Sequence, residues 1–254
     1  MKKPEPRELE VIRTARITPN MHRVTLGGAG MSQFPDDQES AYIKLFFPQA
    51  EGEKPLVRTY TVRHQRPGEI DVDFNLHGDA ESGLGAGPAS SWAASTQPGD
   101  RILVGGPGTK KMINPDADWH LLAGDMTALP AISVNLEQLP EDARGHAVIS
   151  IMHEDDAQPL KHPANITLHW VVDPSPRDEN QTLLNYISKL DLPEGEPSIW
   201  TACEFTSMRA LRHHFKETWQ PPRERLYISS YWKRGRSEDQ HKVIKREDAD
   251  REGN

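Results

Sequence analysis

The sequence predicts two domains in tandem: a closed six-stranded antiparallel β-barrel, then an α/β unit with a parallel sheet and a terminal helix. Three observations carry this expectation. Roughly the first hundred residues form short β-rich runs separated by turn signals, with period-two alternation where it is clearest. Residues 118–235 instead alternate apolar, β-branched strands with helix-like stretches. The 18 glycines and 21 prolines among 254 residues are spread along the chain, as many turns require and a helical bundle does not.

The barrel elements follow in order. Residues 8–18 and 22–27 are β-rich runs joined at Pro19-Asn20. Residues 41–47 form a third strand closed by Pro48, and 58–63 a fourth ending before Pro67-Gly68. Residues 69–77 alternate cleanly, with Ile70, Val72, Phe74 and Leu76 on one face and Asp71, Asp73, Asn75 and His77 on the other. Residues 101–105 supply the sixth strand after the Pro98-Gly99 turn. Closure removes exposed strand edges. A helix starts near Pro88, a residue suited to a first turn because its missing N–H costs nothing there.

The second half reads as strand 119–123, helix 126–139, strands 146–153 and 166–172, and an amphipathic helix 181–190. Strand 198–202, helix 206–218 and strand 226–231 complete it, and a charged tail is helix-like to about Asp250. The Gly-, Lys- and Pro-rich segment 107–115 is the linker, which gives domains 1–115 and 116–254. Open α/β sheets bind ligands beyond the carboxyl ends of their strands, so the cleft between the domains is the expected site.

Composition narrows the function. Lys plus Arg number 30 against 38 Asp plus Glu, a net charge of −8 that argues against general nucleic-acid binding. No run of about 18 apolar residues exists, so no membrane insertion is expected. Met1-Lys2-Lys3-Pro4-Glu5-Pro6 lacks the apolar stretch of a signal peptide. One cysteine, Cys203, excludes internal disulfides, cysteine zinc sites and protein-held iron–sulfur clusters. The expectation is a cytoplasmic protein, with a monomer the simplest assembly. Any redox chemistry then needs a bound organic cofactor.

Two clusters could hold one. In Arg58-Thr59-Tyr60-Thr61-Val62-Arg63 an aromatic ring, hydroxyls and guanidinium groups suit a flat ring with a phosphate tail, although an ordinary exposed strand has the same pattern. From His77-Gly78 to Trp92 a Gly-rich loop enters a helix start, whose free N–H groups suit a pyrophosphate. Cys203 has no motif partner and reads as a buried small residue.

Taken together, the motifs Arg58-x-Tyr60-Thr61-x-Arg63, Asp71-x-Asp73-Phe74-x-x-His77-Gly78 and Gly87-Pro88-Ala89-Ser90-x-Trp92-Ala93 resemble the siderophore-interacting proteins. These are flavin-dependent ferric-siderophore reductases. Tyr42-Ile43-Lys44-Leu45-Phe46-Phe47-Pro48, Gly124–Ile132 and Ser230-Tyr231-Trp232-Lys233-Arg234-Gly235 also agree, so the likeness spans nearly the whole chain in order. Met126 stands where the family usually has glutamate, and Cys203 where it usually has glycine.

The resemblance implies a ferredoxin-reductase-like fold with FAD on the barrel. Arg58, Tyr60 and Thr61 would hold the flavin ring and its phosphate, with Asp73 and His77 beside it. Gly87, Ala89, Ser90 and Trp92 would form the pyrophosphate-binding helix start, and Thr127 and Ala128 would lie near the flavin or the nicotinamide. Arg63, Asn75, Pro88 and Trp232 complete the implied cofactor set. The substrate would be an anionic ferric siderophore, which a protein of net charge −8 must attract locally. Lys44 matches the family's third-strand lysine; Lys233, Arg234, Lys242 and Lys245 are the carboxyl-terminal basic candidates. Lys242 and Lys245 stand three apart and would share a helix face. NADH, NADPH or a reduced ferredoxin would donate electrons, and no general acid, general base or protein ligand to iron is needed. A flavin reductase serving another protein and a siderophore-binding protein without flavin are the alternatives.

Overall fold

The computed structural model describes residues 5–49, 52–76, 87–174 and 181–252. They divide into two units, Met1–Lys111 and Met112–Asn254; the sequence reading draws the line at 115.

In the first unit β1 (Arg7–Thr18), β2 (Met21–Gly27), β3 (Tyr42–Phe47), β4 (Leu56–Arg66), β5 (Glu69–Asn75) and β6 (Arg101–Gly105) close a barrel in the order β1-β2-β5-β4-β3-β6. All its pairings are antiparallel. Alternation selects the core: Ile70, Val72 and Phe74 of β5 meet Val24, Leu26, Ile43, Leu45, Val62 and Val104 inside. Phe74 is fully buried, worth about 2–3 kcal/mol of transfer free energy. Helix α1 (Pro88–Ser95) lays Ala89 and Ala93 into this core. Trp92 anchors it, with its ring 5.8 Å from Phe47 and 5.7 Å from Phe74.

Alternation fails at two places. A bulge interrupts the β4–β5 ladder between Val62 and His64, so strict alternation along 58–63 does not extend through Arg63. Asp71 and Asp73, expected on a polar face, are buried at 3% and 6% exposure. Arginines from neighbouring strands cover them, as described below. A 3-10 turn at Ala29–Gln33 was not expected.

In the second unit β7 (Trp119–Asp125), β8 (Arg144–Ile151), β9 (Asn165–Val172), β10 (Pro197–Glu204) and β11 (Leu226–Trp232) form a parallel sheet in the order β11-β10-β7-β8-β9. β10 is buried along its whole length, as a strand covered on both faces must be. Helix α2 (Leu129–Gln138) covers one face: a methyl on Gly124 would strike Ala128 and Ile132. Helices α3 (Thr182–Ile187) and α4 (Phe205–His214) cover the other, packing Leu183, Ile187, Met208 and Leu211 on Leu121, Ala123 and Ile199.

Several helices are shorter than their sequence patterns. Residues 126–128 form a turn before α2, α3 spans six residues, and α4 passes into a π-helix at Phe215–Trp219. Helix α5 (Glu238–Glu252) is the expected tail helix. It is clasped to α4 by the buried pair Arg212 and Asp248, with contacts of 2.8 and 3.1 Å.

Candidate functional site

On the barrel, β4 carries the first cluster. Tyr60 packs against the core with its ring 4.4 Å from Phe74. Arg58 is half-buried, and its Nη1 donates to the Val57 carbonyl at 3.0 Å; it has no carboxylate partner among the described residues. Arg63 is buried at 8% exposure. Thr61 lies opposite Tyr42 in the β3–β4 ladder, and Lys44 opposite Thr59 and Gly105. Lys44 is half-buried and forms no ion pair among the described residues, so its charge is available to an anion.

The acidic residues of β5 are already engaged. Asp73 accepts from Arg23 Nε at 2.6 Å and Nη2 at 2.8 Å. Asp71 accepts from Thr25 Oγ1, His64 Nδ1 and both terminal nitrogens of Arg66. Burial alone would raise the Asp71 carboxyl, but these bonds hold it far below the ordinary aspartate range. Bonds from Arg13 and Arg66 bring Glu69 down to about 2. Asp73 therefore stands beside the candidate site as the anchor of Arg23.

Two features remain open toward a ligand. Asn75 Oδ1 is buried without a hydrogen-bond partner among the described residues. Helix α1 starts at Gly87, which has no side chain to cap it; Pro88 follows, and helical geometry gives the Ala89 and Ser90 N–H groups no intrahelical acceptor. Ala89 and Ser90 are themselves buried, at 5% and 6% exposure. An uncapped helix start, a buried amide oxygen without a partner among the described residues and a guanidinium with no carboxylate partner among them fit a molecule with a pyrophosphate and a polar flat ring. His77 and the loop to residue 86 lie outside the described residues.

In the second unit the chain leaves β7 in one direction for β8 and β9, and β10 returns on its other side. The topological switch point therefore lies between β7 and β10. Asp125 and Glu204 end those two strands. Asp125 accepts from the Thr127 N–H (3.0 Å) and hydroxyl, the Glu204 N–H (2.9 Å) and Trp232 Nε1 (2.8 Å). Desolvation is the larger influence and raises its carboxyl above the ordinary aspartate range, against the four donors. Glu204 caps α4, accepting from the Thr206 and Ser207 N–H groups, and also takes the Arg234 N–H. Ala128 is buried at the start of α2. Cys203 is 1% exposed, and burial beside Asp125 and Glu204 pushes its thiol up, which leaves it unreactive.

The basic tail residues go to different partners. Lys233 Nζ lies 3.4 Å from Thr206 Oγ1 and 5.0 Å over the Phe205 ring, while Arg234 is exposed. Lys242 pairs with Glu238 and Asp239 of its own helix. Lys245 instead reaches β11, donating to Ser229 Oγ (2.6 Å) and the Ser230 carbonyl (3.0 Å), and burial lowers its ammonium. Beside it His241 Nε2 meets Ser230 Oγ at 2.8 Å. Burial, then the charges of Lys245, Lys233 and Lys242, bring His241 down to about 4.

Sequence reasoning missed Asp125, Glu204 and Arg23. Asp125-Met126-Thr127 carries the signature of a side chain bonding to the backbone two residues on, and Glu204 immediately precedes a helix. The Arg23–Asp73 pair, fifty residues apart, left no local signal.

A closed antiparallel barrel followed by a five-stranded parallel sheet of this order defines the ferredoxin-reductase-like class. Residues 10–56 and 49–111 match the siderophore-interacting FAD-binding domain, and residues 117–235 the siderophore-interacting protein model. The chain is 34% identical over 258 residues to ferric vibriobactin reductase ViuB of Vibrio cholerae, covering 92% of each. It is 27% identical over 251 residues to the NADPH-dependent ferric-chelate reductase of Escherichia coli, covering 89% of this chain and 92% of that one. The crystal structure of the siderophore-interacting protein SipS from Aeromonas hydrophila matches with a TM-score of 0.84 at 32% identity, over 97% of this chain and 98% of the other. The chain belongs to the siderophore-interacting protein family, and its barrel half is an FAD-binding domain.

Proposed function

We propose that this protein is an FAD-dependent oxidoreductase that reduces ferric siderophores and releases Fe(II). The observation that carries the reading is the match of both halves to the siderophore-interacting family, the barrel half to its FAD-binding domain. Bound FAD supplies the redox chemistry, accepting electrons from a donor and passing them on singly. Each Fe(III) complex takes one electron, and the hard-oxygen siderophore holds the resulting Fe(II) less tightly.

The chain's own residues bind and orient. The Ala89 and Ser90 N–H groups at the α1 start, with Arg58, suit the phosphates; Tyr60, Thr61, Arg63, Asn75 and His77 suit the flavin ring. On the α/β unit, Thr127 and Ala128, which follow β7, and Trp232, bonded to Asp125 at its end, are assigned to the cofactor and its donor. Lys44, Lys233 and Arg234 are the cations assigned to the anionic ferric complex. Lys245 joins them as an ammonium bonded to the neutral Ser229 hydroxyl and Ser230 carbonyl, whereas Lys242 is the weakest candidate because its own helix neutralises it.

NADH, NADPH and a reduced ferredoxin are the donor classes, and the name of the Escherichia coli relative makes NADPH the first to test. No helix of the described residues is long and apolar enough to cross a membrane. A monomer in the reducing cytoplasm completes the reading, in keeping with a single buried cysteine. The test is to purify the protein, identify FAD by its absorbance near ~450 nm, and follow anaerobic bleaching by each donor. A colourless protein that also fails to take up added FAD overturns the reading.

A further inference from the structure

The two carboxylates at the switch point hold one short segment between them. Asp125 Oδ2 accepts the Trp232 indole N–H at 2.8 Å, and Glu204 Oε1 accepts the Arg234 N–H at 3.2 Å. Lys233 stands between these two attachments, its ammonium near the Thr206 hydroxyl and over the Phe205 ring. The β10–β11 ladder does not continue past Trp232, and its register shifts between Cys203 and Glu204 just before it ends. The segment is thus held here by side chains.

Asp125 is itself fixed. Its Oδ1 takes the Thr127 N–H and hydroxyl, and its Oδ2 takes the Glu204 N–H as well as the indole. Three of these donors are N–H groups that can only donate, so both oxygens of the carboxyl group are held in place whichever way the Thr127 hydroxyl turns. The same carboxylate joins the ends of β7, β10 and β11, across 79 and 107 residues of sequence. Glu204 is engaged too, by the first N–H groups of α4. With their lone pairs turned to these donors, the two acids repel a nearby anion less than free carboxylates would.

We infer that Asp125 and Glu204 are positioning residues for the ferric complex: they clamp Trp232 and Arg234 so that Lys233 is presented in a fixed place. The inference rests on the reading of Lys233 and Arg234 as substrate contacts. It assigns Trp232 a structural tie in addition to the cofactor role the family resemblance implies.

The test uses the full-length FAD-loaded protein, the ferric complex of a catecholate siderophore as probe, and the variants Trp232→Phe, Asp125→Asn and the double variant. Trp232→Phe keeps the ring and removes only the indole N–H, so it does not depend on how Asp125→Asn folds. We expect amide hydrogen exchange at residues 233–236 to accelerate at least about tenfold in Trp232→Phe, with KM for the complex rising about tenfold, by a larger factor than any fall in kcat, as loss of a charge-assisted bond predicts. The double variant should be no worse than Asp125→Asn alone, because both remove the same tie. Wild-type exchange in Trp232→Phe overturns the inference, as does faster exchange with unchanged KM, or additive effects in the double variant. If the wild-type protein itself does not reduce the complex, the functional reading fails instead, whatever the exchange rates show.

Discussion

Gly124→Ala probes the switch point on which the second unit is built. Gly124 pairs with Ala202 across the central strands β7 and β10 and faces helix α2. An added methyl would lie 2.4 Å from the Ala202 carbonyl oxygen, 2.9 Å from Ala128 Cβ and 3.0 Å from Ile132 Cδ1. The first obstacle is backbone in the middle of a sheet, and the other two are buried against it, so no flexible side chain can swing aside. Overpacking of a filled core costs about 1–3 kcal/mol, and a contact limited by backbone belongs at the upper end, about 3 kcal/mol. At roughly 2–4 °C per kcal/mol, the thermal midpoint should fall by about 6–12 °C. Calorimetry of the full chain measures this, with Gly68→Ala as the control. Gly68 has φ +80 and open space around its Cβ, so the control meets backbone strain of about 1 kcal/mol and no clash. A Gly124→Ala midpoint within about 2 °C of wild type, or a larger drop in the control, refutes the packing argument.

Other predictions follow from single contacts. Lys44→Ala should impair reduction of a ferric siderophore while sparing reduction of a small neutral dye; equal loss of both in steady-state assays removes Lys44 from the substrate set. His241 is held near 4 against an ordinary value of 6.5, so the fold favours its neutral form. Its contribution is complete above about pH 6.5 and is lost as the pH falls toward 4, by about 2 kcal/mol at pH 4.5. Urea titrations should find that loss in wild type and not in His241→Gln; parallel losses contradict it. Arg66→Met leaves buried Asp71 with Thr25, His64 and a distant Arg23, and should cost about 2–3 kcal/mol in urea unfolding; a change below about 0.5 kcal/mol means the arginine is idle.

The parts of the fold visible in the sequence are those set by local periodicity. Ile70, Val72 and Phe74 alternate because one face of β5 is core, and 198–202 reads as a buried strand because β10 lies inside a sheet covered by helices. The parts not visible depend on partners far along the chain. Asp73 looks like a residue of a polar face until Arg23 is seen to cover it. The β4 bulge shifts the register at Arg63 with no glycine to announce it. At the candidate site, the motif segments from Arg58 to Trp92 were legible as residue types suited to a flat ring and phosphates. The Asp125–Trp232 tie was not, because it spans 107 residues and becomes visible only when parallel strands align their ends.

The most direct test of the central claim is an anaerobic titration of the protein, its FAD chemically reduced, with a ferric siderophore. Flavin absorbance and trapped Fe(II) are recorded together. Flavin reoxidation should be coupled to release of about two Fe(II) per FAD, since the cofactor gives up two electrons one at a time. Reduced flavin that stays bleached in the presence of the ferric complex, with no Fe(II) trapped, contradicts it.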